Sequence, residues 1–224
     1  MMVVEKRRTY FFRKLQTVIR RVGAVLFRQH IIKRMRVSNR IEKCSIIASN
    51  CIGGLLYHDL RMRFDTPTIN LFFTAHDFVV FLSDLKKYLS ITPSDFRLSS
   101  DDGKGYPVGK LDDIELHFVH YKTVEECVLK WEERKKRIDF DNLYVIFTDR
   151  NGLTLEDLKA FLSMDYRKIV YVSKKQFCLS EECIYIPGFE KAESVPEMQR
   201  YADVFGHRYY EKYYDVVKWL NEKK

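Results

Sequence analysis

The stretch CSIIASNCIGG, Cys44 to Gly54, decides how the rest of the chain is read. Cys44 to Ala48 is a continuous apolar or small run of the length of a buried strand. Ser49-Asn50-Cys51 then leads through two glycines into Leu55-Leu56. A strand that ends in short polar residues and passes through Gly-Gly into a helix is the first half of a β–α unit. In open α/β sheets ligands bind beyond the carboxyl ends of the strands, where glycines let backbone N–H groups approach an anion at the helix start. Ser49, Asn50, Gly53 and Gly54 are therefore candidate ligand contacts, with tight chain reversal as the alternative use of the glycines. A helix start also stabilises a thiolate, which makes Cys51 a candidate nucleophile against the alternative of an inert buried thiol.

Outward from this stretch, strand and helix alternate. Thr68–Phe73 reads as an apolar strand, and Asp77–Leu89 as a helix with Phe78, Phe81, Leu82 and Leu85 at helical spacing. The turn-rich segment Pro93–Pro107 reads as a loop before a strand at Ile114–His120. Thr123 to Glu126 is a capping box opening a helix that buries Cys127 and Trp131. Strands follow at Leu143–Phe147, Ile169–Val172 and Ile184–Ile186, with a Thr154-capped helix between the first two and an aromatic helix at Tyr209–Leu220. The succession predicts an α/β fold with a mainly parallel or mixed sheet and helices on both faces. With 224 residues, 46% of them hydrophobic, the chain can bury a sizeable core. The expected organisation is a basic amphipathic helical extension over residues 1–43 and a single α/β domain over residues 44–224.

The charge belongs to that extension. Residues 1–43 hold thirteen Lys or Arg against Glu5 and Glu42, whereas the whole chain has a net charge of +8. Such confinement points away from a nucleic-acid-binding fold, which spreads its cations over a folded face. On a helical wheel Phe11, Leu15, Val18, Ile19, Val22, Val25 and Leu26 form one side, opposite Arg13, Arg20, Arg21 and Arg28. Arginines interrupt the apolar stretches too often for a spanning helix. Residues 5–36 are expected to be a helix whose apolar stripe is covered by the body, by a second copy in a homodimer, or by an anionic membrane surface. Five scattered cysteines fit a reducing cytoplasm, and membrane docking would place the protein at the inner face of the membrane. No metal-ligand spacing stands out.

The segments SNCIGGLLYHDL, TPTINLFF, YPVGKLDDIELHFVHYKTVEECVLKWEERKKRI, DNLYVIFTDRNGLT, YIPGFE and YYDVVKWLN together resemble a bacterial domain of uncharacterised function usually labelled exopolysaccharide biosynthesis protein. The resemblance spans nearly the whole chain after the basic helix. It departs at Ile52, where members tend to carry Trp. It implies a setting among enzymes of cell-surface polysaccharide synthesis, without fixing a reaction.

Further site candidates lie on other strand ends. In FTDRNG, Thr148, Asp149 and Arg150 emerge at the carboxyl edge of an apolar strand, where an acid suits sugar hydroxyls and a guanidinium suits phosphate. A solvated turn capped by Asp149 is the alternative. Glu190 in PGFE follows a short strand. His117 and His120 face opposite sides of an extended strand, with His120 on the core side, so at most one can serve Cys51. The acidic residue of a dinucleotide-binding fold is missing after Phe73 and no Walker spacing is present, so no cofactor is assigned. Three function classes remain. One is a transferase acting on a sugar nucleotide or phosphate-linked sugar, with Asp149 as acid/base and Arg150 on phosphate. Another is a cysteine-dependent hydrolase using Cys51. The third is a non-catalytic partner of a polysaccharide assembly complex.

Overall fold

The computed structural model describes residues 2–99 and 105–222, with side chains from residue 15 onward. The side chains of Phe11 and Arg13, and the centre of the Pro93–Pro107 segment, lie outside the described residues. In chain order the elements are α1 (Met2–Ser38), β1 (Ser45–Ala48), α2 (Ile52–Leu60), α3 (Ala75–Ser83), α4 (Leu85–Ser90), β2 (Ser94–Leu98), β3 (Pro107–Leu111) and β4 (Ile114–His117). Then follow α5 (Val124–Lys135), β5 (Leu143–Thr148), α6 (Leu155–Ser163), β6 (Arg167–Val172), β7 (Cys183–Tyr185), α7 (Tyr209–Lys212) and α8 (Val216–Asn221). The chain divides into two compact units, one of Ile41–Val195 and one that joins the N-terminal segment up to Arg40 with the C-terminal segment from Pro196.

The first unit contains a four-stranded parallel sheet in the order β1-β5-β6-β7. The α/β class expected from the apolar runs is the class observed. Side chains alternate across the sheet. Ile47, Val145, Phe147, Val170 and Val172 enter the main core with Phe78, Phe81, Leu158, Phe161 and Trp131 from the helices. Phe147 lies with its ring centroid 5.0 Å from each of Phe78 and Phe161, so α3 and α6 meet over β5. On the other face α2 packs on β1, and a Cβ at Gly53 would stand 3.1 Å from Ala48 Cβ and 3.4 Å from the Ile46 carbonyl oxygen.

Several elements differ from the sequence reading. The 77–89 helix is broken at Asp84, whose side chain turns to accept the Lys87 N–H and starts α4. Ser94–Leu98 is a strand, and β2-β3-β4 form a second, antiparallel sheet. Thr68–Phe73 is not a strand: it bends at Ile69 and Asn70, bonds β1 through Thr68 Oγ1, and forms a backbone bridge between Phe72 and His117. The β4 strand ends at His117, so His120 lies in an exposed turn and not on the core side. Thr123 accepts the Glu126 N–H, but the Glu126 carboxylate returns to the Lys122 N–H, so that capping box is incomplete. The aromatic C-terminal helix is two short helices, the second capped by Asp215.

The outer edge of β1 is closed by side chains. The N–H groups of Ile46 and Ala48 point away from β5; Ile46 donates to the Tyr57 hydroxyl at 2.8 Å and Ala48 to Thr68 Oγ1 at 3.2 Å. The Thr66 hydroxyl donates to the Ile46 carbonyl at 2.8 Å, and that of Tyr57 to the Cys44 carbonyl at 3.0 Å.

In the second unit α1 buries Ala24, Arg28, Ile32 and Met35. A Cβ at Gly23 would come within 1.7 Å of the Val204 carbonyl oxygen, so only glycine lets the C-terminal segment approach here. Arg28 is 5% exposed and donates to the Glu211 carboxylate, to the Gly206 carbonyl at 3.4 Å and to the Tyr210 hydroxyl at 3.3 Å. The body does not cover the apolar stripe: Leu15, Val18, Ile19, Val22, Val25 and Leu26 are exposed in the single chain, and Arg28, on the other side of the helix, is the residue that finds partners.

Candidate functional site

The parallel pairing of β1 with β5 sets Ser45 opposite Leu143 and Ala48 opposite Ile146, so the loops that follow these strands share one rim. Asn50 joins them. Its Nδ2 donates to Thr148 Oγ1 at 2.9 Å, and its Oδ1 accepts the Ile52 N–H at 3.2 Å, a turn that sets the start of α2. The first hydrogen bond into α2 runs from the Leu55 N–H to the Cys51 carbonyl at 3.1 Å. The N–H groups of Gly53 and Gly54 precede it and, as first-turn donors, lack a helical acceptor. Gly53 packs closely on β1 and Gly54 has ordinary van der Waals room beside Ile69, and together they leave the helix start without side chains. Beside them Ser49 Oγ is buried with no hydrogen-bond partner among the described residues, its residue 3% exposed.

An aromatic group borders this turn. The Phe73 N–H donates to the Ser49 carbonyl at 3.0 Å, while Phe72 exchanges two 3.0 Å backbone hydrogen bonds with His117. The Phe72 ring stacks on the His117 imidazole, centroids 4.4 Å apart and planes 14° apart. Tyr106 closes the group with its hydroxyl 3.5 Å from His117 Nδ1. All three rings are half-buried. His117, expected at the site, thus reaches the neighbourhood of Ser49 through a segment read as a plain strand, and Phe72 and Tyr106 are additions.

The loop after β5 behaves differently. Asp149 is 4% exposed; its Oδ2 accepts the N–H and the hydroxyl of Ser173, each at 2.6 Å, and its Oδ1 accepts the Val195 N–H at 2.7 Å. Both carboxylate oxygens are occupied in tying β5 to the chain after β6. Arg150 donates to the Val195 carbonyl at 3.3 Å, on the same side. Asn151 sits at φ 61 and clamps the segment leading into α3, its Nδ2 on the Phe73 carbonyl at 3.0 Å and its carbonyl accepting the Ala75 N–H at 2.9 Å. Asp149 therefore stands on the expected rim in an anchoring arrangement that leaves no open carboxylate for acid/base work.

Cys51 occupies the N-cap position of α2 without a side-chain cap bond. Burial pushes its thiol up to about 11, so desolvation outweighs the helix dipole and the thiol is protonated at neutral pH. Glu190 is not brought to Asn50: it follows β7, three strand spacings or about 14 Å from β1. There it accepts from the Tyr185 hydroxyl and from the Gly188 N–H, and these bonds hold its carboxyl down to about 2. Missed by the sequence reading is His76, whose Nδ1 lies 2.9 Å from Asp157 Oδ1 at the start of α3. The hydrogen bond that His76 donates to the Asp157 carboxylate raises the His76 pKa. These residues are 81 positions apart, so no local pattern announces them. A surface groove of about 800 Å³ lies in the second unit, lined by Arg34, Met35, Tyr213 and Lys218 among others, and not at the rim.

Residues 22–221 match the family described as Domain of unknown function (DUF1919). The chain belongs to this bacterial family. It is similar to an uncharacterised protein from Haemophilus influenzae, 36% identical over 177 residues that make up 79% of this chain and 84% of that protein. The DUF1919 match begins at Val22, inside α1, and takes in every candidate residue of the rim together with the C-terminal segment from Pro196.

Proposed function

We propose that this DUF1919 protein binds a phosphate-bearing sugar, either a sugar nucleotide or a phosphate-linked sugar, at the carboxyl rim of its parallel sheet, and serves cell-surface polysaccharide synthesis from the cytoplasmic side. The observation that carries the reading is the open start of α2. The Gly53 and Gly54 N–H groups and the positive end of the helix dipole meet an anion there, with Asn50 and Thr148 fixing the turn. The Phe72–His117 stack offers an apolar face with a polar edge, a surface that fits the faces and hydroxyls of a sugar ring. The five cysteines are free, which supports a reducing compartment. The polysaccharide setting rests on the resemblance in the motif segments.

In a transferase, His117, stacked on Phe72 next in the chain to the Phe73 that bonds Ser49, takes the acid/base role first expected of Asp149. The occupied carboxylate of Asp149 favours a second reading, a sugar-phosphate-binding partner of a polysaccharide assembly with no turnover of its own. Calorimetry and thermal shift with uridine diphosphate sugars and hexose 1-phosphates test both. The expected result is binding that Asn50→Leu weakens roughly tenfold, while the loss of its two turn hydrogen bonds also lowers the melting temperature of the free protein. In the transferase, His117→Gln loses turnover out of proportion to any loss of binding. Intact binding with no turnover in the parent selects the non-catalytic partner. No binding of any phosphate-bearing sugar overturns the proposal.

A further inference from the structure

The α1 helix has two faces with opposite fates. One carries Gly23, Ala24, Arg28, Ile32 and Met35 and is buried, with Arg28 held by Glu211, Tyr210 and Gly206, and with Arg20 donating to the Tyr209 hydroxyl at 3.5 Å. On the other side Leu15, Val18, Ile19, Val22, Val25 and Leu26 are exposed, Val25 to 81% and Leu26 to 68%. At 100° per residue these six fall within one stripe centred opposite Ala24 and Arg28, and they extend along about 18 Å of the helix. Among the described residues no helix is long and apolar enough to cross a membrane.

We infer that this stripe docks on an anionic lipid surface, with α1 lying in the plane of the interface. Charge decides between the possible occupants. Between Glu5 and Glu42 the chain has no acidic residue and twelve Lys or Arg, of which Arg21, Lys33 and Arg34 are exposed. A second copy placed stripe to stripe would bring cations against cations with no acid on either helix to pair them. An anionic bilayer receives the apolar stripe in its acyl boundary and meets the flanking cations with headgroup phosphates. The inference is independent of the ligand reading at the sheet rim, since none of its residues is shared with that site.

The test is cosedimentation of the full chain with vesicles of phosphatidylcholine, with and without phosphatidylglycerol, at low and at physiological salt. The parent is expected to pellet with the mixed vesicles, more weakly as salt rises, and to bind pure phosphatidylcholine roughly tenfold less or worse. The double variant V22D/V25D changes only exposed positions, so its circular dichroism should match the parent while its pelleting falls by roughly tenfold or more. R21Q/K33Q should reduce binding less and flatten the salt dependence. Equal pelleting with both vesicle types overturns the choice of an anionic surface, and unchanged pelleting of V22D/V25D overturns the role of the stripe. Failure to pellet overturns the inference as a whole. If sedimentation velocity then shows a dimer in the parent that V22D/V25D abolishes, a second copy covers the stripe.

Discussion

Two loops leave the same rim of the same parallel sheet, one after β1 and one after β5, and they handle their polar groups in opposite ways. The β5 loop presents the residues that look most like chemistry, Asp149 and Arg150, and turns them toward Ser173 and Val195, so that the carboxylate is closed on protein donors. The β1 loop holds no charged side chain, only Ser49, Asn50, Cys51, Ile52 and two glycines, yet it leaves helix-start N–H groups and a buried hydroxyl open. Residue type marks where a site can lie. Which groups remain without partners decides where a ligand can bind.

The sharpest way to break this comparison is at Asp149. Removing its carboxylate leaves three buried donors of Ser173 and Val195 unpaired, so Asp149→Ala should lower unfolding stability by about 3–5 kcal/mol in urea titration. A variant as stable as the parent would return Asp149 to the list of functional groups. The next effect distinguishes the two glycines. A Cβ at Gly53 meets Ala48 Cβ at 3.1 Å with the Ile46 carbonyl behind it, so Gly53→Val should cost about 1–3 kcal/mol by the same measurement. At Gly54 the nearest contact is an ordinary 3.4 Å to Ile69 Cγ2, and the higher helix propensity of alanine, about 1 kcal/mol over glycine, makes Gly54→Ala neutral or slightly stabilising. Equal losses at both positions would mean that the pair serves chain reversal alone.

The smallest effect concerns His76 and Asp157, beside the β5 loop. The Asp157 hydrogen bond raises His76 from 6.5, so its stabilising contribution is complete below about pH 6.5 and disappears as pH rises through the folded value. For Asp157 burial acts upward, but bonds from Thr154 and His76 hold the carboxyl below 3.8, so its contribution is present above that pH and lost on further acidification. His76 is largely exposed, and solvent screening limits the pair to less than about 1 kcal/mol. Urea midpoints of the parent should fall between pH 6 and pH 8 relative to those of His76→Ala. Parallel pH profiles would show that the pair adds nothing.

Much of the fold follows from local pattern. The apolar runs at β1, β5 and β6 and the Thr154 cap, completed by Asp157 as a capping box, are set by residues within a few positions of one another. What escaped depends on partners far along the chain. Asp149 finds its donors 24 and 46 residues away, and Arg28 finds Glu211 after 183. Periodicity located the α1 stripe but could not tell which side of the helix the C-terminal segment takes. The break at Asp84 was hidden because apolar spacing continues across it, while one side chain accepting the Lys87 N–H is enough to restart the helix. The rim itself was legible from two strand ends, and its aromatic border was not, because Phe72, Tyr106 and His117 come from three separate segments.

The hydroxyls along β1 have a further consequence. A parallel sheet of four strands ends in two edges, and an edge with free N–H and carbonyl groups is a template onto which another chain can add a strand. At β1 the outward N–H groups of Ile46 and Ala48 and the Ile46 carbonyl are already matched by Tyr57, Thr66 and Thr68, side chains that cannot propagate the ladder. This fully buried edge strand is thereby made sterile toward sheet growth. Fibril seeding or strand exchange in this protein would have to begin at another edge, and threonine-to-valine changes at 66 and 68 would free the Ile46 carbonyl and the Ala48 N–H on this one.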